Sequence, residues 1–197
     1  MLASKSPDRK MLFNQARIPF EILKPNIDEE LLKNKISDPV ELVKELARAK
    51  VLFAKNLLQK NKKEGIIIAA DTIVELKGQI IGKAVDEQDA FKILKKLIGN
   101  THNLLTGIAI TDTDDSKIIV DYETTIVKFI QLSEYEIKSY ISSGEWRGRA
   151  GAYAITEKAG LFIEFIQGSF SNIVGLPLHK IFLILKNYFQ FNILEEI

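Results

Sequence analysis

The sequence has no cysteine, which excludes disulfide scaffolds, thiolate metal sites and thiol nucleophiles, and fits a reducing compartment. Its two histidines, His102 and His179, are far apart and match no zinc spacing, so each reads as structural or surface. An excess of one charge is missing too: 27 Lys and Arg stand against 26 Asp and Glu, a formal net charge of +1. That balance excludes a strongly basic nucleic-acid binder and an acidic solvating tail. No run reaches the ~20 apolar residues of a membrane span. The best, Ile173 to Phe191, is broken by His179, Lys180 and Lys186. Met1 to Pro7 lacks the apolar core of a signal peptide. There is no Walker A lysine, no dinucleotide spacing among Gly144, Gly148 and Gly151, and no nucleophile elbow at Ser169 or Ser171. Trp146, the single tryptophan, reads as a packing anchor more readily than as a base-stacking platform. With 46% hydrophobic and 27% charged residues among 197, the chain is expected to be soluble and cytoplasmic. It is expected to form a single domain over residues 1–197, with two lobes and no separable linker.

What is present alternates strand-like and helix-like segments, an α/β pattern. A short strand at Met1 to Ala3 runs into a helix with Ser6 as N-cap and Pro7 at its first position. Ile18 to Ile27 reads as extended and ends in the acidic cluster Asp28, Glu29, Glu30. Asp38 and Glu41 frame the start of a helix on which Val43, Leu46, Ala47, Val51, Ala54 and Leu58 recur at helical spacing. Ile66 to Leu76 is a strand, turning at Lys77 and Gly78 into Ile80 and Ile81. Asp86 caps a helix stopped by Gly99 and Asn100. Strands at Asn103 to Thr111 and Lys117 to Leu132 flank the turn Asp112 to Ser116. Ser133 and Glu136 box another helix. Ala152 to Thr156 and Leu161 to Ile166 read as strands, and an amphipathic helix follows Pro177.

Three polar features interrupt this pattern. Asp71 lies inside the apolar run Ile66 to Val74, where a carboxylate costs several kcal/mol unless paired, hydrogen-bonded or bound to a cation. It is either a strand end facing solvent, or a metal ligand or general base at the mouth of a sheet. Lys50 falls on the apolar stripe of its helix, either snorkelling to water or fixed as a cation for an anionic ligand. Ser4, Ser6 and Arg9 cluster where a strand becomes a helix, which suits either ordinary capping or an anion site. Taken together, an acidic focus (Asp28, Glu29, Asp71) with nearby cations (Arg9, Lys50, Lys83) suits a divalent metal and a polyphosphate. Lys83 follows Gly82 just after a strand, where the backbone can approach a ligand closely.

The chain resembles the Maf family of nucleoside triphosphate pyrophosphatases nearly end to end. The resemblance rests on Leu2 to Arg9, Ile27 to Glu29, Leu46 to Lys50, Ala70 to Val74, and Gly82 with Lys83. It continues through Leu97 to His102, Thr106 with Gly107, Ser143 to Glu145, Arg149 to Ile155, Gly168 to Phe170, and Asn172 to Leu178. It implies an elongated Maf/ITPase-like α/β fold with a mixed, twisted sheet and two lobes around a central cleft, often as a homodimer. It implies hydrolysis of a nucleoside triphosphate to the monophosphate and pyrophosphate with a divalent cation, Mg or Mn. On the matching positions, Asp71 would activate water and Glu29 would bind metal together with Asp71. Ser4, Arg9, Lys50 and Lys83 would hold the triphosphate.

The resemblance is nearest to the dTTP/UTP pyrophosphatase subgroup, which implies a pyrimidine or modified-pyrimidine substrate. Three positions bear on specificity. Thr72 agrees with that subgroup, whereas Asp8 stands where an Arg is usual and Thr156 where a Gln is usual. The subgroup acting on 7-methyl-GTP has Trp and Gln at positions 8 and 72, and neither is present. An anion at position 8 should weaken triphosphate binding unless it faces away. It also motivates a second reading, a nucleotide-binding regulator of division or stress with little turnover. A third is a purine-directed house-cleaning pyrophosphatase acting on ITP or XTP.

Overall fold

The first strand, although only two residues long, is an interior strand of its sheet. The computed structural model describes residues 1–195, and β1 (Leu2–Ala3) lies between two parallel neighbours, β2 (Ile22–Leu23) and β3 (Ile66–Leu76). Leu2 pairs with Ile22 and Ile68, and Ala3 with Leu23 and Ala69. The terminal ammonium of Met1 donates to the Ile66 carbonyl at 2.8 Å, continuing that register. Both strand residues are fully buried, as a parallel sheet covered on both faces requires.

The long apolar stripe becomes α3 (Pro39–Lys60), capped by the Asp38 carboxylate, which accepts from the Glu41 amide at 2.8 Å. Its Ala47, Val51, Ala54 and Leu58 pack on Ala3, Leu23, Ile67, Ala69 and Ala109 to form one core cluster. Small residues on both sides let helix and sheet approach closely. The extreme case is Gly107, where a Cβ would run into the Val43 carbonyl of α3. Glycine is required there by space.

The remaining elements are α1 (Pro7–Gln15), α2 (Glu29–Lys35), β4 (Gln79–Ile81), α4 (Glu87–Leu97), β5 (Thr101–Asp112), β6 (Ile118–Phe129), α5 (Glu134–Ser142), β7 (Ile163–Gln167), α6 (Phe170–Ile173) and α7 (Leu178–Tyr188). Hydrogen bonding runs in the order β2-β1-β3-β5-β6-β7, with β4 paired to β3. β4 and β7 are antiparallel to their partners, so the seven-stranded sheet is mixed, as expected. Ser6, Asp86 and the full Ser133–Glu136 capping box all sit where the sequence placed them.

By internal contacts the chain divides into two compact units. The first comprises Met1–Asp71, Thr106–Glu123 and the segment from Gly175 onward; the second comprises Thr72–Leu105 and Thr124–Val174. The core of the second is aromatic. Phe129 meets His102, Tyr153 and Phe162 edge-on at 4.7, 4.9 and 5.0 Å between ring centres. Trp146 is buried and donates to the Ile141 carbonyl at 3.1 Å, a packing anchor.

Four local expectations are corrected. Of Ile18 to Ile27, only Ile22–Leu23 forms a strand. Asp28 to Glu30 begins a helix, α2, with Asp28 as its N-cap. Ala152 to Thr156 is turn rather than strand, because Ala152 takes a left-handed φ of 59°, which no ladder accommodates. Leu161 and Phe162 close a 3-10 turn (Lys158–Phe162), and the strand starts only at Ile163. No helix among the described residues is long and apolar enough to cross a membrane.

Candidate active site

Parallel pairing of β1 with β3 sets the carboxyl end of β1 beside the middle of β3, which runs on to Leu76, so Asp71 lies within its strand and not at a strand end. With Ala3 opposite Ala69, the next residues along are Ser4 on one strand and Ala70 and Asp71 on the other. The chain leaves β1 through Ser4, whose Oγ accepts from the Ser6 amide at 3.1 Å. Ser6 then caps α1, and one turn into that helix Arg9 points back at the end of β1 and the middle of β3.

Arg9 is buried and extensively bonded. Its Nε donates to the Gly175 carbonyl at 2.7 Å, and its Nη1 to the Ala70 carbonyl at 2.9 Å and to Ser4 Oγ at 3.3 Å. Burial lowers the guanidinium below its usual value, while the carboxylates of Asp71 and Glu29 oppose that shift.

Lys50 and Asp71 explain each other. Lys50 lies on the buried face of α3 and does not snorkel to solvent; its Nζ contacts Asp71 Oδ1 and Glu29 Oε1, the latter at 2.8 Å. Both Lys50 and Asp71 are buried, whereas the Glu29 side chain is 34% exposed. Glu29 reaches this point because Asp28 starts α2. The Asp28 carboxylate accepts from the Leu31 amide at 3.1 Å, which leaves Glu29 on the first turn.

The first unit therefore brings Ser4, Arg9, Glu29, Lys50 and Asp71 together, and the acidic focus loses Asp28 to capping. Asp8 lies in the first turn of α1, half-buried. The second unit carries Lys83, Thr72 and Thr156. Lys83 forms an isolated antiparallel bridge with Ala150, and Gly151 N donates to the Gly82 carbonyl at 3.1 Å. Thr72 follows Asp71 on β3, and Thr156 lies in the turn after Tyr153.

A family model described as Maf-like protein matches residues 1–188. The chain belongs to the Maf family. Similar proteins include one from Alkaliphilus oremlandii, 42% identical over 98% of this chain and 98% of its own length. Another, from Ruminiclostridium cellulolyticum, is 42% identical over 92% of this chain and 91% of its own. A third, from Caldanaerobacter subterraneus subsp. tengcongensis, is 43% identical over 95% of this chain and 88% of its own. Each is named dTTP/UTP pyrophosphatase.

A divalent cation suits this Maf site in one specific way. Among the described residues no group of three or more His, Cys, Asp or Glu could hold a metal ion. Glu29 and Asp71 do converge on one cation, Lys50 Nζ. Two carboxylates without a closed protein cage are the donor set used for Mg or Mn when phosphate oxygens complete the shell. What the sequence could not show in this Maf chain is the backbone's share: the carbonyls of Ala70 and Gly175, which hold Arg9. The signal that could have placed Glu29, and was not read as one, is the helix-start pattern of Asp28 followed by Glu29 and Glu30.

Proposed function

We propose that the protein is a nucleoside triphosphate pyrophosphatase acting on pyrimidine nucleotides, dTTP and UTP among them, and releasing the monophosphate and pyrophosphate. The observation that carries this reading is the Glu29–Lys50–Asp71 cluster beside Arg9, with Lys50 and Asp71 buried, where β1 ends against the middle of β3. It occurs in a chain whose relatives bear that name over nearly their whole length.

Asp71 accepts the proton of a water aimed at the α-phosphorus; attack breaks the bond to the bridging oxygen, and pyrophosphate leaves. Lys50 supplies an ammonium to the phosphate oxygens. Ser4 offers a hydroxyl, and Arg9 holds positive charge behind it while fixing the part of β3 that bears Asp71. The resemblance adds Lys83 to the phosphate ligands and makes Asp8, Thr72 and Thr156 the positions that set base preference. Mg or Mn, held by Glu29 and Asp71 together with phosphate, supplies charge neutralisation on the leaving pyrophosphate. Positioning and electrostatics account for most of the rate enhancement, and no covalent nucleophile is needed. The reading includes a cytoplasmic location, in line with the composition, and a homodimer, which the resemblance implies.

The test is a panel of NTPs and dNTPs with Mg or Mn, read by separate assays for pyrophosphate and orthophosphate. Pyrophosphate release greatest with dTTP and UTP is expected, and Asp71→Asn should lose about 10²- to 10⁴-fold in kcat. Orthophosphate as the product, or full activity in Asp71→Asn, overturns the mechanism. Nucleotide binding without turnover favours the regulatory reading.

A further inference from the structure

Lys50 occupies both of the oxygens that the proposed function gives to a divalent cation. Its Nζ lies against Asp71 Oδ1 and 2.8 Å from Glu29 Oε1. A single ammonium thus bridges the two acids, on a side chain only 9% exposed. It cannot drift into solvent when displaced without losing its charge partners in a poorly solvated place.

The charges in contact with the two acids already balance them. Glu29 and Asp71 are offset by Lys50 and by buried Arg9, whose guanidinium responds to both acids. At the rim, Lys33 lies 4.0 Å from Glu29 Oε2 and 2.6 Å from Glu30 Oε1, so it and Glu30 also offset each other. A bare divalent cation would add uncompensated positive charge to a neutral, largely buried set, and would push Lys50 off both carboxylates. The same cation carried on a polyphosphate brings an excess of negative charge. Its phosphate oxygens also give Lys50 somewhere to go.

We propose that Lys50 is the resident counter-ion of the metal-binding pair. It holds Glu29 and Asp71 until a nucleotide–metal complex arrives and then passes to the phosphates, so the free protein takes up divalent cation only together with a polyphosphate. This rests on Glu29 and Asp71 being the metal ligands. It adds a role for Lys50 beyond phosphate binding and an order to assembly of the site.

The experiment is Mn titration of the full chain, followed by electron paramagnetic resonance and by water-proton relaxation. In the wild type, Mn alone should give little bound signal, and adding inorganic tripolyphosphate should produce the relaxation enhancement of a protein-bound complex. Lys50→Gln and Lys50→Met should bind Mn without any phosphate at least about tenfold more tightly than wild type. Adding Asp71→Asn to Lys50→Gln should remove that gain. Equally weak Mn binding by wild type and by folded Lys50 variants overturns the proposal, as does wild type binding Mn equally well with and without tripolyphosphate. The wild-type comparison stands even where a variant does not fold. No turnover enters the readout, so loss of pyrophosphatase activity on the nucleotide panel would count against the proposed function and not against this exchange.

Discussion

The Nη1 of Arg9 donates to the carbonyl of Ala70 at 2.9 Å, one residue before Asp71. The same guanidinium also takes the Gly175 carbonyl, 166 residues away in sequence, at 2.7 Å. Two of its donors are therefore committed to main chain, and the planar fork fixes the stretch of β3 that presents Asp71. Lysine has neither the fork nor the reach to serve both carbonyls. Arg9→Lys should cost about 2–3 kcal/mol in urea unfolding, because it leaves buried acceptors unpaired. It should also lower kcat more than it raises KM, since Asp71 loses its fixed position. A change confined to KM would make Arg9 a phosphate ligand only.

Gly107 sits so close to α3 that a Cβ would meet the carbonyl of Val43. Backbone cannot yield as a flexible side chain can, so helix and strand would have to separate. Gly107→Ala should destabilise by about 3 kcal/mol, measured as a drop in the urea midpoint at unchanged slope. Gly82 is the control, since a Cβ there meets nothing within 4 Å. Gly82→Ala should be neutral or stabilising, by less than about 1 kcal/mol.

Which parts of this could be read beforehand follows from how local each cause is. Ser6 with Pro7, Asp86, and Ser133 with Glu136 cap helices through atoms a few residues apart, so the sequence displays them. Asp71 and Lys50 were conspicuous because each breaks an apolar pattern, and the structure shows that they are each other's reason for being buried. Asp28 misled because a capping carboxylate and a metal-binding one look alike until the Leu31 amide is seen beneath it. Ala152 to Thr156 misled because its composition suits a strand, while the left-handed φ of Ala152 is imposed by the surrounding turn. Carbonyl partners such as Ala70 and Gly175 leave no side-chain signature at all.

His102 gives the second unit an acid-sensitive core. Its Nε2 shares a hydrogen bond with the Tyr153 hydroxyl at 3.0 Å, and Nδ1 has no partner among the described residues. Burial pushes the imidazole down from 6.5 to about 4. Between those values the unfolded chain binds a proton that the native chain refuses. The contribution is therefore fully present above about pH 6.5 and is lost as pH falls toward 4. Lowering the pH from about 7.5 to about 5 should remove about 2 kcal/mol through this group alone. His102→Gln, although less stable at neutral pH, should show a correspondingly flatter pH dependence in urea unfolding. An unchanged slope would mean that His102 titrates normally.

Asp8 occupies the first turn of α1, in the segment that also carries Ser4, Ser6 and Arg9. A carboxylate there interacts favourably with the helix dipole, by about 0.3–1 kcal/mol, and opposes an incoming triphosphate. If its side chain faces the substrate, the residue trades a little substrate affinity for helix stability. Asp8→Arg reverses both effects. It should lower KM for dTTP and UTP by about three- to tenfold, since a repulsive charge is exchanged for an attractive one at partly solvated range. It should also lower stability by less than about 1 kcal/mol. Asp8→Asn separates the two contributions, because it removes the repulsion, adds no attraction and leaves kcat near the wild-type value. Were KM the same in all three proteins, the position 8 side chain would face away from the substrate. Base preference would then have to be sought at Thr72 and Thr156, by measuring the ratio of kcat/KM for UTP and GTP in Thr156→Gln.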